Sequence, residues 1–246
     1  MDKDFYGSLR KLADIGFKHV ETAFWPENVS MESAASILKE MGFTVSACHT
    51  DIPDQKNISL ICKQAKAFNS NKIIWHGWPE DQRYSTLAGT RELIQMYNSA
   101  CSLASNNGLH FGLHNHWWEF KNKVAGRYVY EILQEELNEA VFFETDIYWV
   151  KVAEQNPSTI IQQLQNRIQM LHIKDGPAEW NNQLADGNPD PMTAVGKGTI
   201  DIASILNAAK KTVQWLVVEL DKSAIDVFDA LQQSREYLSG FGMVRL

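Results

Sequence analysis

Cysteine is scarce: 3 residues in 246, at Cys48, Cys62 and Cys101, an odd number without CxxC spacing. That supports neither a disulfide framework nor a thiolate zinc site. No apolar run approaches the ~20 residues of a membrane span, and the opening MDKDFYGSLR lacks the basic-then-apolar order of a signal peptide. The expectation is a cytoplasmic protein with no membrane partner. Positive charge is also in deficit, with Lys and Arg 23 against Asp and Glu 30, a formal net charge of −7. A nucleic-acid partner normally requires the reverse balance, to neutralise phosphates. No GxGxxG follows a candidate strand and no GxxxxGK[ST] occurs, so dinucleotide and P-loop readings have no support. Without a Pro/Gly/Ser-rich linker or low-complexity tract, residues 1–246 read as one domain.

What the sequence does have is alternation. Short apolar runs read as strands at 19–24, 44–50, 72–78, 109–116, 140–146, 168–175 and 215–221. Apolar residues at helical spacing fall at 5–16, 31–42, 87–108, 128–138, 157–167, 200–212 and 224–240. This order argues for a parallel sheet built from βαβ units, and the nearly continuous apolar strands argue that both faces are buried. A closed (β/α) barrel is preferred to an open doubly wound sheet. One long irregular stretch, 175–198, is rich in Gly, Pro, Asn and Asp, and a loop of that length is usually functional.

Polar residues crowd the ends of the candidate strands, and barrel active sites sit at that face. Strand alternation gives 112, 114 and 116 one face, likewise 142, 144 and 146, then 170, 172 and 174, then 217, 219 and 221. His114, His116, Glu144, Asp146, His172, Lys174, Glu219 and Asp221 can therefore converge. Imidazoles and carboxylates on converging strands are metal-ligand chemistry, suited to Mn²⁺, Mg²⁺, Co²⁺ or Zn²⁺.

LHNHWWEF, FETDIYWV, LHIKDG, VGKGTIDI and VVELD, in this order, resemble the sugar phosphate isomerase/epimerase family of xylose-isomerase-like barrels, over nearly the whole chain from Phe5. The resemblance implies a (β/α)₈ TIM barrel with one divalent metal ion at its C-terminal mouth, usually held by Glu, Asp, His and Glu. Carried over residue by residue, it makes Asp146, His172 and Glu219 ligands. At the first position this sequence departs from the pattern. Either His114 of LHNH takes the place, or Glu119 of WWEF folds back to supply a carboxylate; the strand-end position of His114 matches better.

The implied activity is isomerisation or epimerisation of a ketose, keto-sugar or cyclitol through proton abstraction next to a carbonyl. Glu219 is the first candidate base, with Glu119 or His116 second. Lys174 could neutralise an oxyanion, or pair with Asp146 or Glu144. Seven of the eight tryptophans, Trp25, Trp75, Trp78, Trp117, Trp118, Trp149 and Trp180, fall at or just after strand ends or in the long loop, which suggests platforms for sugar rings. Trp117, Trp149, Trp25, His76 and Lys197, the last in a Gly-flanked turn, are the candidate substrate contacts. A lyase or hydratase on keto-sugars, and a non-catalytic sugar-binding barrel, are the competing readings. An endonuclease-IV-like site would need more ligands and a basic surface. The count stands at seven strands, with a helix in front of the first, so the barrel is expected to lack its first strand. Two open strand edges would then invite another segment or a second copy, giving a homodimer.

Overall fold

The computed structural model describes residues 4–24, 26, 28–164, 166–186, 189–209 and 213–242. They form two compact units. The first comprises Met1–Trp78, Arg91–His114 and Glu136–Phe142, and the second Pro79–Thr90, Asn115–Glu135 and Phe143–Leu246.

The first unit opens with α1 (Phe5–Ile15), where Asp4 caps the first turn by accepting the Gly7 N–H at 2.8 Å. The helix ends at Gly16, whose φ of 100° lets its N–H return to the Leu12 and Ala13 carbonyls. There follow β1 (His19–Thr22), α2 (Met31–Glu40), β2 (Thr44–Thr50), α3 (Ile58–Ala67), β3 (Lys72–Trp75), α4 (Leu87–Asn106) and β4 (His110–His114). The strands pair in parallel in chain order, β1 with β2, β2 with β3 and β3 with β4. Ile73, Ile74 and Phe111 have no exposure, as expected for parallel strands covered on both faces. Gly112 on β4 is required by packing: a Cβ there would lie 2.4 Å from the Phe142 ring.

The second unit contains α5 (Trp118–Lys121) and an antiparallel ribbon of β5 (Lys123–Val124) and β6 (Arg127–Tyr128). Next come α6 (Val129–Glu136), β7 (Phe142–Asp146), α7 (Ile147–Val152), α8 (Pro157–Leu164), β8 (Ile168–Ile173), α9 (Ile202–Ala209), β9 (Trp215–Val218) and α10 (Val227–Ser239). β7, β8 and β9 are parallel, and their register sets Asp146 level with His172 and His172 level with Val217. Ile147, Val150, Ile161, Met170, Leu171 and Ile173 form the apolar centre.

Seven parallel strands are therefore present among the described residues, as the sequence count anticipates, and no described strand precedes α1. Several end earlier than their apolar runs suggest. β3 stops at Trp75, β8 at Ile173 and β9 at Val218, so His76, Lys174, Glu219 and Asp221 lie beyond the ladders. Lys174 makes a side-chain contact there with Asp146 of β7, and Glu219 with His172 of β8. No helix among the described residues is long and apolar enough to cross a membrane.

Candidate functional site

In the first unit, the strand ends carry histidines. His49, on β2, meets Glu21 through Nε2–Oε1 at 2.8 Å, with both side chains almost fully buried. His114, the last residue of β4, has its ring 5.7 Å from that of His49. His76, just past β3, packs on Trp75 at 4.1 Å and Phe24 at 5.7 Å, and its Nδ1 accepts the Trp78 backbone N–H at 3.1 Å. Burial, followed by the neighbouring His49, holds the His76 pKa below the usual histidine value, so its ring is neutral at pH 7. Glu21 and His49 were legible as strand-end polar residues, but the sequence-based site omits them.

The second unit holds a denser network. His172 lies between two carboxylates, with Nε2 at 3.2 Å from Glu144 and Nδ1 at 2.7 Å from Glu219. The Lys174 Nζ, buried to 1%, reaches Asp146 at 3.0 Å, Glu219 at 2.9 Å and Asp221 at 2.8 Å. Asp146 divides its oxygens. Oδ1 caps α7, accepting from the N–H groups of Tyr148 at 2.9 Å and Trp149 at 3.2 Å, which leaves Oδ2 for Lys174. Asn115 fixes the same strand end, its Oδ1 accepting the Asp146 N–H at 2.9 Å.

The electrostatics follow from this crowding. Burial alone would lower the Lys174 pKa, but Asp146, Glu219 and Asp221 outweigh it and hold the ammonium well above its usual value. Asp146 is so deeply enclosed that lost hydration overrides Lys174 and His172, and its pKa is pushed up to about 6. Three carboxylates (Asp146, Glu219 and Asp221) share one lysine while a fourth, Glu144, faces His172, a charge imbalance that a divalent cation would relieve. The ligand atoms of His172 lie within 4.8 Å of both Glu144 and Asp146, and histidine with carboxylate is a donor set such a cation accepts. These residues fit a metal ion.

Glu119 sits at α5, fully enclosed. Its Oε2 accepts the His116 N–H at 3.0 Å, and burial pushes its pKa up to about 8, so at neutral pH the carboxyl keeps its proton. His116 stacks on Trp118 at 4.4 Å and approaches Trp149 at 6.0 Å. Trp117 meets Trp118 and, edge-on at 4.8 Å, Trp180 of the long loop, whose ring also lies beneath Lys121 Nζ at 4.2 Å. Trp118 is buried to 1% and acts as packing, whereas Trp78 is exposed. Trp25 lies outside the described residues.

Lys197 is exposed, and the turn that carries it has a different centre. Asp175 accepts N–H groups from Gly176 and Ile200 on Oδ1 and from Gly196 and Gly198 on Oδ2. A Cβ at Gly198 would come within 2.0 Å of that carboxylate, which explains the glycine. Sequence reasoning assigned no role to Asp175; the glycines of VGKG, which permit such an approach, were the available signal.

The model of the xylose isomerase-like TIM barrel family matches residues 9–240. The chain belongs to that family. No curated protein matches it by sequence. Among solved structures of the fold, a sugar phosphate isomerase/epimerase from Parabacteroides distasonis aligns with a TM-score of 0.79 at 19% identity, over 98% of this chain and 94% of that one. The probable 3-DHS dehydratase AsbF from Bacillus anthracis aligns at 0.69 and 15%, over 96% and 93%. A xylose isomerase-like TIM barrel protein from Mycobacterium smegmatis in complex with magnesium aligns at 0.68 and 16%, over 97% and 88%. In a TIM barrel the active site is built at the C-terminal ends of the strands; in the first unit His49 and His114 lie towards such ends, and in the second Asp146 and His172 do.

Proposed function

We propose that this xylose isomerase-like barrel is a divalent-metal-dependent enzyme that isomerises or epimerises a small carbohydrate by moving a proton next to a carbonyl. The observation that carries the reading is the network of Glu144, Asp146, His172, Lys174, Glu219 and Asp221 in the last residues of β7 and β8 and just past β8 and β9. Asp146, His172 and Glu219 would hold the ion, with His114 as the fourth ligand in preference to Glu119, whose carboxyl is taken up by the His116 N–H. A bound divalent ion would polarise carbonyl and hydroxyl oxygens of the substrate and favour the enediolate.

The remaining chemistry belongs to side chains. Glu219, the most exposed carboxylate of the network at 42%, is placed to take and return the proton. Lys174 stays charged and neutralises negative charge developing on a substrate oxygen. Trp149 and Trp117 offer apolar ring surface to a sugar, and His76 and Lys197 are outer contacts. A second reading, elimination of a β-substituent from the same enediolate, is favoured by Glu119. A carboxyl that keeps its proton at neutral pH can deliver it to a departing oxygen.

The test is metal-dependent stability. At a free ion concentration of about 100 times Kd, binding adds roughly 2.7 kcal/mol, or about 5–10 °C in Tm for a protein of this size. Wild type should show that rise with Mn²⁺, Mg²⁺, Co²⁺ or Zn²⁺, and Asp146→Asn, His172→Ala and Glu219→Gln should each lose it. No rise with any of the four ions would overturn the assignment.

A further inference from the structure

Trp149 is the third residue of α7, and its backbone is tied to the Asp146 carboxylate that caps the helix. Its side chain is 6% exposed, and the indole Nε1 is a buried donor with no hydrogen-bond partner among the described residues. An indole N–H can only donate, and buried donors in folded proteins are nearly always satisfied. The hydroxyl of the adjacent Tyr148, by contrast, is engaged, accepting the Ala178 N–H at 3.3 Å. Trp149 instead lies against the polar network, with Lys174 Nζ 5.9 Å from its ring centroid and the His116 ring at 6.0 Å. The orphan donor therefore belongs to a ring that borders the network around Lys174.

We propose that the Trp149 indole N–H donates a hydrogen bond to a hydroxyl or carbonyl oxygen of the bound substrate, so that Trp149 selects for an oxygen at one substrate position as well as offering a ring face. The ligand class is a polyhydroxylated carbonyl compound. The choice of ligand rests on the carbohydrate reading above, but the unsatisfied donor does not. A site built around such a donor discriminates against an analogue lacking the oxygen, because the N–H is then left buried and unpaired.

Protein labelled with ¹⁵N-tryptophan gives an indole cross-peak for each tryptophan, and Trp149→Phe, which keeps an aromatic ring, identifies the relevant peak by its disappearance. The remaining indole peaks report whether the variant is folded. Titration of the Mg²⁺-loaded protein with D-fructose, D-tagatose and L-ribulose should move the Trp149 indole proton downfield with at least one of them. Trp149→Phe should weaken binding of that sugar by roughly 10-fold, and its analogue deoxygenated at the contacted position should lose less than about 3-fold. Sugars that shift other indole peaks while Trp149 stays in place, or no shift of the Trp149 peak with any of the three, overturn the proposal. A sugar that moves the peak yet is never turned over leaves this assignment standing and removes the catalytic reading. Turnover with an unmoved peak does the reverse.

Discussion

Glu119→Gln tests the electrostatics of the site through a pH profile. The carboxyl, carried on α5, is buried, accepts the His116 N–H at 3.0 Å, and has its pKa raised by burial from 4.5 to about 8. Because the folded-state value lies above the unfolded one, folding retains a proton on this group. Below about pH 4.5 both states are protonated and nothing is lost. Between there and pH 8 stability falls by about 1.4 kcal/mol per unit, reaching a full loss of about 5 kcal/mol above pH 8. Glutamine cannot ionise, its carbonyl still accepts the His116 N–H, and any fixed penalty of the amide is the same at every pH. The stability difference between variant and wild type, from urea unfolding in the presence of a chelator, should therefore grow by several kcal/mol between about pH 5 and pH 8.5. A difference that stays flat to within about 1 kcal/mol would refute the claim that burial holds this proton in place.

Other perturbations follow the same logic. Lys174→Met leaves Asp146, Glu219 and Asp221 without their shared ammonium. Because the last two are partly exposed, the loss should fall near the low end for a broken buried pair, about 3 kcal/mol, read as a drop in Tm of roughly 6–12 °C. Gly198→Ala drives a Cβ into the Asp175 carboxylate and should release the clamped turn, with a loss of about 2–3 kcal/mol and faster proteolysis within 175–198. His114→Ala should weaken metal affinity by ~10-fold or more in a calorimetric titration, while Glu119→Gln leaves it within about 3-fold; the opposite ranking would exchange their roles.

Buried parallel strands announce themselves as unbroken apolar runs, which is why KIIW, FFETD and IQMLHI could be read directly. Their ends could not, since a charged residue such as Lys174 continues the alternation in sequence but leaves the ladder for carboxylates on other segments. Helix α7 has no polar face, with Ile147, Tyr148, Trp149, Val150 and Val152 all buried, so no helical period marks it. Helix α3 starts at Ile58 after Asn57, whose side chain makes no cap hydrogen bond, so its start is only weakly marked. The candidate ligands Asp146, His172 and Glu219 were visible from position and residue type. The partnership of Lys174 with Asp221, 47 residues away, and the four N–H groups gathered by Asp175 depend on register and loop path, which no local pattern encodes. The adjacent tryptophans of WWEF look alike in sequence, and only burial and partners separate Trp118 as packing.

The central claim is metal-dependent proton transfer next to a carbonyl, and incorporation of solvent deuterium into substrate tests it most directly. Ketoses incubated with the Mg²⁺- or Mn²⁺-loaded protein in D₂O should gain deuterium at the carbon adjacent to the carbonyl, as seen by NMR. That exchange should stop on chelation and in Glu219→Gln. Exchange that persists undiminished after chelation, or the absence of exchange across the ketose panel with every divalent ion, would contradict the account.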